Sequence, residues 1–160
     1  SFLIPNSSNA KSSYFLSTQL INLYLQLHSP IIKEYPPFFK IQLNSTDISA
    51  QQVNQRVSVQ SSISMLFSQQ ASVKGKMEVS ASLAYNAPLH QVYITQAQIE
   101  SLELENLNTS TDIFLSKINP VLSRQLDGLI IYEFTNENAM FPKAPSHIKV
   151  ENGGIRFIFD

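Results

Sequence analysis

Hydrophobic and polar residues alternate over unusually long stretches in the middle of the chain. Apolar side chains take every second position through most of 57–67 and again of 73–85, with serine, glutamine and charged residues between them. An alternation of period two is typical of a strand with one buried face and one solvated face. A third run, from Leu89 to about Leu107, changes phase before Leu102. A β-bulge, or a crossing of the sheet edge, would explain that change of phase.

A first helix is predicted ahead of these strands. Leu20, Leu23 and Leu27 recur at helical spacing, and Ser17 precedes them as a plausible N-cap. Pro30 disfavours helical backbone in the residue before it, so the helix is expected to end near His28 or Ser29. The apolar stripe is expected to face the core.

A second helix is predicted after the strands, with its N-cap among residues 109–111. Leu115, Ile118 and Leu122 lie along one face of its pattern. Pro120 falls inside the pattern, where a proline removes a backbone hydrogen bond. We therefore expect the helix to kink there or to break near Ile118.

The length of the predicted strands sets the fold class. They run for about 12 to 17 residues, against a usual length of about 5–6. Straight strands of that length would reach roughly 40–55 Å, wider than a compact domain of this size. The sheet must therefore curl around a filler. We predict an α+β domain in which a long, strongly curved antiparallel β-meander wraps a long C-terminal helix. An N-terminal helix and a C-terminal β-hairpin, signalled by Asn152-Gly153-Gly154, complete it. Residues 1–13 are predicted to form a flexible arm, and residues 14–160 a single domain.

Composition narrows the possible functions. The chain has 160 residues, a net charge of −1 and no cysteine. A near-neutral chain with scattered basic residues has no field for nucleic acid, so no nucleic-acid partner is expected. Without cysteine there are no disulfides, thiolate zinc sites or cysteine nucleophiles. No apolar run approaches the roughly 18 residues of a membrane-spanning helix.

The residues that could carry chemistry are sparse. His28, His90 and His147 have no second ligand at metal-binding spacing. Glu103 and Glu105 share a strand face, and a solvated face explains them better than a calcium site. Four glycines provide no phosphate-binding loop, and no serine has the setting of a nucleophile. We therefore expect no catalytic residue, no metal and no cofactor.

The predicted inward faces offer a different kind of site. A curled sheet with one apolar face either fills its interior with side chains or leaves a space for an apolar ligand. For any single inward residue, plain core packing is the simpler interpretation. The candidate lining residues are Leu20, Leu23, Leu27, Val59, Ile63, Met65, Met77, Val79, Leu83, Leu115, Ile118 and Leu122.

Three stretches carry a family resemblance: residues 14–22, residues 118–126 around Pro120, and the segment from Ile148 to the terminal Phe159-Asp160. Their order resembles the YceB-type lipoproteins of Gram-negative bacteria, a family of unknown function. The resemblance implies a periplasmic protein anchored to a membrane through a lipidated Cys. This chain lacks that Cys, which is consistent with a form of the protein that was trimmed just after it. The family's fold is similar to the tubular lipid-binding (TULIP) superfamily, in which a curved sheet wraps a long helix and many members carry lipids. No defined catalytic residues come with the resemblance.

Three functional hypotheses follow. The leading one is a non-enzymatic periplasmic module that binds a lipid, a fatty acid or another hydrophobic ligand. The alternative is a packed structural or interaction module in cell-envelope assembly, with no ligand cavity and a protein partner that the sequence does not name. The third is a hydrolase, which would need a histidine, a carboxylate and a serine to converge in the fold.

Overall fold

The computed structural model describes residues 12–35, 39–67, 72–105, 111–135 and 144–160. Most of these residues lie in strands, and the remainder form two helices, a short 3-10 turn and connecting segments. In chain order the elements are β1 (Ser12–Ser17), α1 (Thr18–Leu27), β2 (Ile31–Tyr35), β3 (Phe39–Ala50), β4 (Val57–Phe67), β5 (Ser72–Asn86), β6 (Gln91–Leu104), α2 (Thr111–Leu126), β7 (Ile130–Glu133), β8 (His147–Glu151) and β9 (Gly154–Phe159). Residues 1–11 of the predicted arm lie outside the described residues, whereas Ser12 and Ser13 belong to β1.

The main sheet has six antiparallel strands in the order β2-β3-β4-β5-β6-β7. Its central strands are long, with 11 residues in β4 and 15 in β5, so the long alternating strands are confirmed. The register shifts between Leu43 and Ser45 on β3 and twice between β5 and β6. The bulge predicted in the third run is therefore confirmed. Bulges of this kind bend a strand and increase its twist.

The inner face of this sheet forms the core. Val57, Val59, Ile63 and Met65 alternate along β4 and are 0–4% exposed. The residues at the even positions from 58 to 64 carry hydroxyl or amide side chains, and two of them, Gln60 and Ser62, are exposed. The alternation in the sequence therefore sets which face is buried.

The two helices lie where the two edges of the sheet come round towards each other. Helix α1 contacts both β3 and β7, and helix α2 contacts both β6 and β2. These strand pairs are far apart in the strand order, so only a strongly curled sheet brings both members of a pair to one helix. The result is a curled half-barrel with two helices along its open side.

The predicted α+β fold with a long C-terminal helix is wrong. Helix α2 has 16 residues, about 24 Å at 1.5 Å per residue, and α1 has 10. The chain is mostly β, and a helix of that length does not run the length of strands such as β5. The argument from strand length required curling and a filler, but two short helices and the sheet's own side chains supply the filler. Of the two outcomes expected at Pro120, a kink there or a break near Ile118, the break is wrong, because α2 continues from Thr111 to Leu126.

A second sheet of three strands, in the order β1-β9-β8, brings the two ends of the described chain together. The C-terminal hairpin predicted from Asn152-Gly153-Gly154 is confirmed as β8 and β9. β1 adds to its free side, pairing Ser12 with Phe159 through to Ser17 with Gly154. β1 leads directly into α1, where Ser17 Oγ accepts a hydrogen bond from Leu20 N at 3.3 Å, as predicted for the N-cap.

Candidate ligand-binding site

The predicted lining residues on the two central strands lie in the core. Val59, Ile63 and Met65 on β4, and Met77 and Val79 on β5, are 0–4% exposed. They are brought together because β4 and β5 pair in a register that places Val59 opposite Val79 and Ser61 opposite Met77. The interior of the half-barrel is therefore built where the alternation predicted it. Whether these side chains contact a ligand stays a prediction.

The inward orientation predicted for three leucines of α1 is wrong. Leu20, Leu23 and Leu27 are 43%, 51% and 73% exposed, whereas Ile21 and Leu25 are 0% exposed. Helix α1 carries apolar residues on two opposite sides, so its pattern alone does not decide which side is buried. Hydrogen bonds from Asn22 to β3 fix the rotation of the helix instead.

The remaining predicted residues fall into two groups. Leu83 is half-buried beside the core, and Leu122 on α2 is 0% exposed. The side chains of Leu115 and Ile118 lie outside the described residues, although their backbone belongs to α2. The second half of α2 therefore contributes to the same core as β4 and β5.

Two polar side chains, Thr46 on β3 and Ser61 on β4, are buried in this interior, each 4% exposed. They are paired across the two strands, with 3.0 Å between Thr46 Oγ1 and Ser61 Oγ. The bulge at Leu43/Ser45 switches the phase of β3 and so turns Thr46 inward. The alternation of β4 places Ser61 on the inward face, whereas no regular alternation marks Thr46, because the bulge interrupts the pattern of β3.

A third interior polar group belongs to Asn119 on α2. Its carboxamide oxygen Oδ1 is buried, and no hydrogen-bond donor among the described residues reaches it. Asn119 lies three residues before Leu122 and directly before Pro120. The sequence gives no signal for it, because a lone asparagine in a helix usually faces water.

An aromatic cluster, defined here as Tyr14, Tyr24, Tyr85, Tyr132, Phe134 and Phe157, connects β1, α1, β5, β7 and β9. The Tyr132 and Phe134 ring centroids are 5.0 Å apart, and those of Tyr24 and Tyr132 are 5.7 Å apart. The first pair meets edge to face, which is a favourable geometry for aromatic rings at this distance, and the second pair is tilted. The sequence shows that these aromatic residues are present. It does not predict that they contact one another, because they come from five separate elements.

Partial burial changes the acidity of three phenols in this cluster. Desolvation raises the pKa of Tyr24, Tyr85 and Tyr132 above the ordinary value of 10.0. The negative charge of Glu133 raises the pKa of Tyr24 further, and the neighbouring Tyr14 hydroxyl does so for Tyr132. The cluster therefore favours neutral phenols.

The outer face of the sheet is polar. Arg56 donates hydrogen bonds to Ser80 Oγ, Ser82 Oγ and the carbonyl of Gln96, the last at 2.7 Å. Ser80 Oγ in turn donates to Glu100 Oε2 at 2.9 Å. This network lines an open groove of about 540 Å³ and reads as a solvated strand face.

The described residues show no group of three acidic or histidine side chains placed to hold a metal ion. Each of the three histidines has a different neighbour. His28 stacks on Tyr24 with centroids 3.9 Å apart, His90 Nδ1 lies 3.4 Å from the Tyr85 hydroxyl, and His147 Nδ1 lies 3.2 Å from Ser146 Oγ. Within the described part of the chain, no helix has the length and apolar character needed to cross a membrane.

The architecture defines a class, a curled antiparallel half-barrel with an apolar interior and two helices along its open side, which is compatible with a ligand-binding fold. The model of the DUF1439 family, described as a protein of unknown function, matches residues 16–154. The chain therefore belongs to the DUF1439 family. No curated protein matches the chain. The predicted membership of an uncharacterised family is confirmed, whereas the YceB-type name and the tubular lipid-binding resemblance stay predictions.

Proposed function

We propose that the domain is a non-enzymatic module that binds a lipid, a fatty acid or another hydrophobic ligand inside the curled half-barrel. The observation that carries the proposal is an apolar inner face along four long strands, with two short helices rather than a second sheet facing it. Small residues are set into this face, among them Ser61, Ala81 and Ala97. A curled sheet of this width either fills with side chains or holds one small ligand, and small inward side chains leave more space for a ligand.

A matched pair of substitutions on β4 tests the proposal. Ser61 faces the interior and Ser62 faces solvent, so Ser61→Leu and Ser62→Leu make the same change on opposite faces of one strand. We expect the wild-type chain and Ser62→Leu to take up a fluorescent naphthylamine probe and Ser61→Leu to lose uptake, because the larger side chain fills space that the probe would occupy.

The same pair separates the proposal from a packed core. A fully packed interior would give no uptake by the wild-type chain, and Ser61→Leu would lose about 1–3 kcal/mol of stability through overpacking. Native mass spectrometry of the freshly purified protein, followed by lipid extraction, adds an independent test. A stoichiometric adduct released on denaturation supports the proposal and gives the ligand class, whereas a bare mass together with no uptake contradicts it.

The proposed location is the periplasm, with the full-length protein held at a membrane by an N-terminal lipid. This part of the proposal is supported by the family resemblance of residues 14–22, 118–126 and 148–160. Cell fractionation of the full-length protein, with metabolic labelling by a radioactive fatty acid, tests it. Label in the membrane fraction supports the proposal, and unlabelled protein in the cytosolic fraction contradicts it.

The alternative, an interaction module, is favoured by one observation. Helix α1 contains no charged residue and exposes Leu20, Leu23 and Leu27 on the side opposite its buried face. A helix that is apolar on both sides is typical of one covered on both sides. A photo-crosslinking residue at position 27, compared with one at Gln60 on the polar face, tests this function. Equal crosslinking at the two positions contradicts it.

A further inference from the structure

Asn119 is half-buried on α2, and its position on the helix places it in line with buried residues. Asn119, Leu122 and Leu126 are spaced by three and then four residues on α2, which places them on one helical face. Leu122 and Leu126 are 0% and 1% exposed, so this face is the buried one. Asn119 Oδ1 is itself buried, and it receives no hydrogen bond from the described part of the chain.

A buried acceptor without a donor is unusual in a folded protein. Nearly all buried polar groups have a partner, because an unpaired one loses its hydration without compensation. The residue that follows, Pro120, has no N–H, so it cannot donate the helical hydrogen bond that the Ser116 carbonyl would normally receive from residue 120. This turn of α2 therefore has a buried side-chain acceptor and one backbone donor fewer than a regular helix.

The rest of the described interior shows what kind of donor would fit. Its buried polar side chains are the hydroxyls of Thr46 and Ser61, and no charged side chain is buried among the described residues. A carboxylate or phosphate headgroup would find no compensating cation there, and the Asn119 carbonyl oxygen would repel it. A neutral hydroxyl or amide N–H satisfies the oxygen at no electrostatic cost.

We infer that Asn119 Oδ1 is the polar contact for the bound ligand, and that the ligand is a neutral amphiphile whose hydroxyl or amide N–H donates to it. The ligand's apolar chain then lies against the apolar inner face of the sheet. This inference rests on the proposed function and narrows it from hydrophobic ligands in general to those that carry a neutral donor.

Three probes with the same acyl chain test the inference: 1-monooleoylglycerol, which has hydroxyl donors; methyl oleate, which has none; and oleate, which is an anion. Each competes with a fluorescent naphthylamine probe below its aggregation concentration. For the wild-type chain we expect 1-monooleoylglycerol to bind about 5–10-fold more tightly than methyl oleate, as one buried hydrogen bond would give. Oleate is expected to bind more weakly than 1-monooleoylglycerol.

Two substitutions locate the selectivity. Asn119→Leu removes the acceptor, and Asn119→Ala does so with a smaller change of volume. Both variants are expected to bind methyl oleate at least as well as the wild-type chain and to lose the preference for 1-monooleoylglycerol. Asn44→Leu makes the same chemical change at an exposed position of β3 and is expected to keep the preference.

The outcomes separate this inference from the proposed function. If the wild-type chain binds the probes without preference, or if Asn119→Leu and Asn119→Ala keep the preference, the inference is overturned while ligand binding stands. If no probe binds to the wild-type chain, the proposed function fails and the inference fails with it. Loss of preference in both variants, with methyl oleate binding retained, supports the inference.

Discussion

Two carboxamide side chains form hydrogen bonds with backbone groups at strand edges that have no neighbouring strand. Asn22 on α1 accepts a hydrogen bond from Ile48 N at 2.7 Å and donates one to Ile48 O at 3.2 Å. Gln55 does the same for Val150, at 2.9 Å and 3.0 Å. A carboxamide offers the same donor and acceptor as a peptide group, so it can complete an edge. Asn22 thereby attaches α1 to β3, and Gln55 attaches the 3-10 turn at Gln52–Asn54 to the three-stranded sheet.

Replacing Asn22 is therefore expected to be costly. Asn22→Leu would leave the N–H and C=O of Ile48, a residue 3% exposed, without partners. We expect a loss of about 1–3 kcal/mol in the free energy of unfolding, measured by urea denaturation. Gln26→Leu, one turn along α1 at an exposed position, is expected to change stability by less than about 0.5 kcal/mol. Equal effects of the two substitutions would contradict the role of Asn22.

The half-buried tyrosines are expected to make the folded chain less stable at alkaline pH. The folded chain holds Tyr24, Tyr85 and Tyr132 neutral above pH 10.0, whereas the unfolded chain ionises them near that value. The free energy of unfolding is thus expected to fall as pH rises above about 10. Urea denaturation between about pH 8 and about pH 11 measures this fall, and Tyr132→Phe is expected to make it smaller. Stability that stays constant over the range would argue against it.

At the scale of elements, the sequence predicts where strands and helices lie better than how they face. β6 shows the reason. Val92 and Ile94, then Ala97, then Leu102 are its buried residues, so the buried phase changes twice. Gln96, with φ of 53°, lies between the first two phases. Only the later change is visible in the sequence, because a single run of alternation cannot show an extra residue that its partner strand defines.

Pro120 lies inside a helix that continues through it. A proline in a helix interior costs about 3 kcal/mol, through the missing N–H and the clash with the preceding turn. Pro120 is exposed, so Pro120→Ala supplies the N–H without changing the core. We expect the substitution to stabilise the chain by about 1–3 kcal/mol, measured by thermal denaturation. A lower melting temperature would mean that the proline ring makes a stabilising contact that alanine loses.

For the whole molecule, the length of the strands predicted that the sheet curls. It did not predict which elements cover the open side of the curled sheet. The alternation of 57–67 and 73–85 placed Val59, Ile63, Met65, Met77 and Val79 correctly in the core, because both strands are central and have one solvated face. The closing elements were beyond the pattern, since they depend on contacts between segments far apart in sequence. Asn119 and Thr46 were beyond it for the same reason, because their burial is a property of the assembled half-barrel.

The strand order has a consequence for association between chains. The main sheet ends in its two shortest strands, β2 with five residues and β7 with four. Exposed strand edges invite pairing between molecules, and short edges bearing charge discourage it. β2 carries Lys33 and Glu34, and α1 covers the part of β3 that β2 leaves unpaired, where Asn22 already holds Ile48. β4 thus has a partner strand along both of its edges, at the centre of the sheet, where a second molecule cannot extend it.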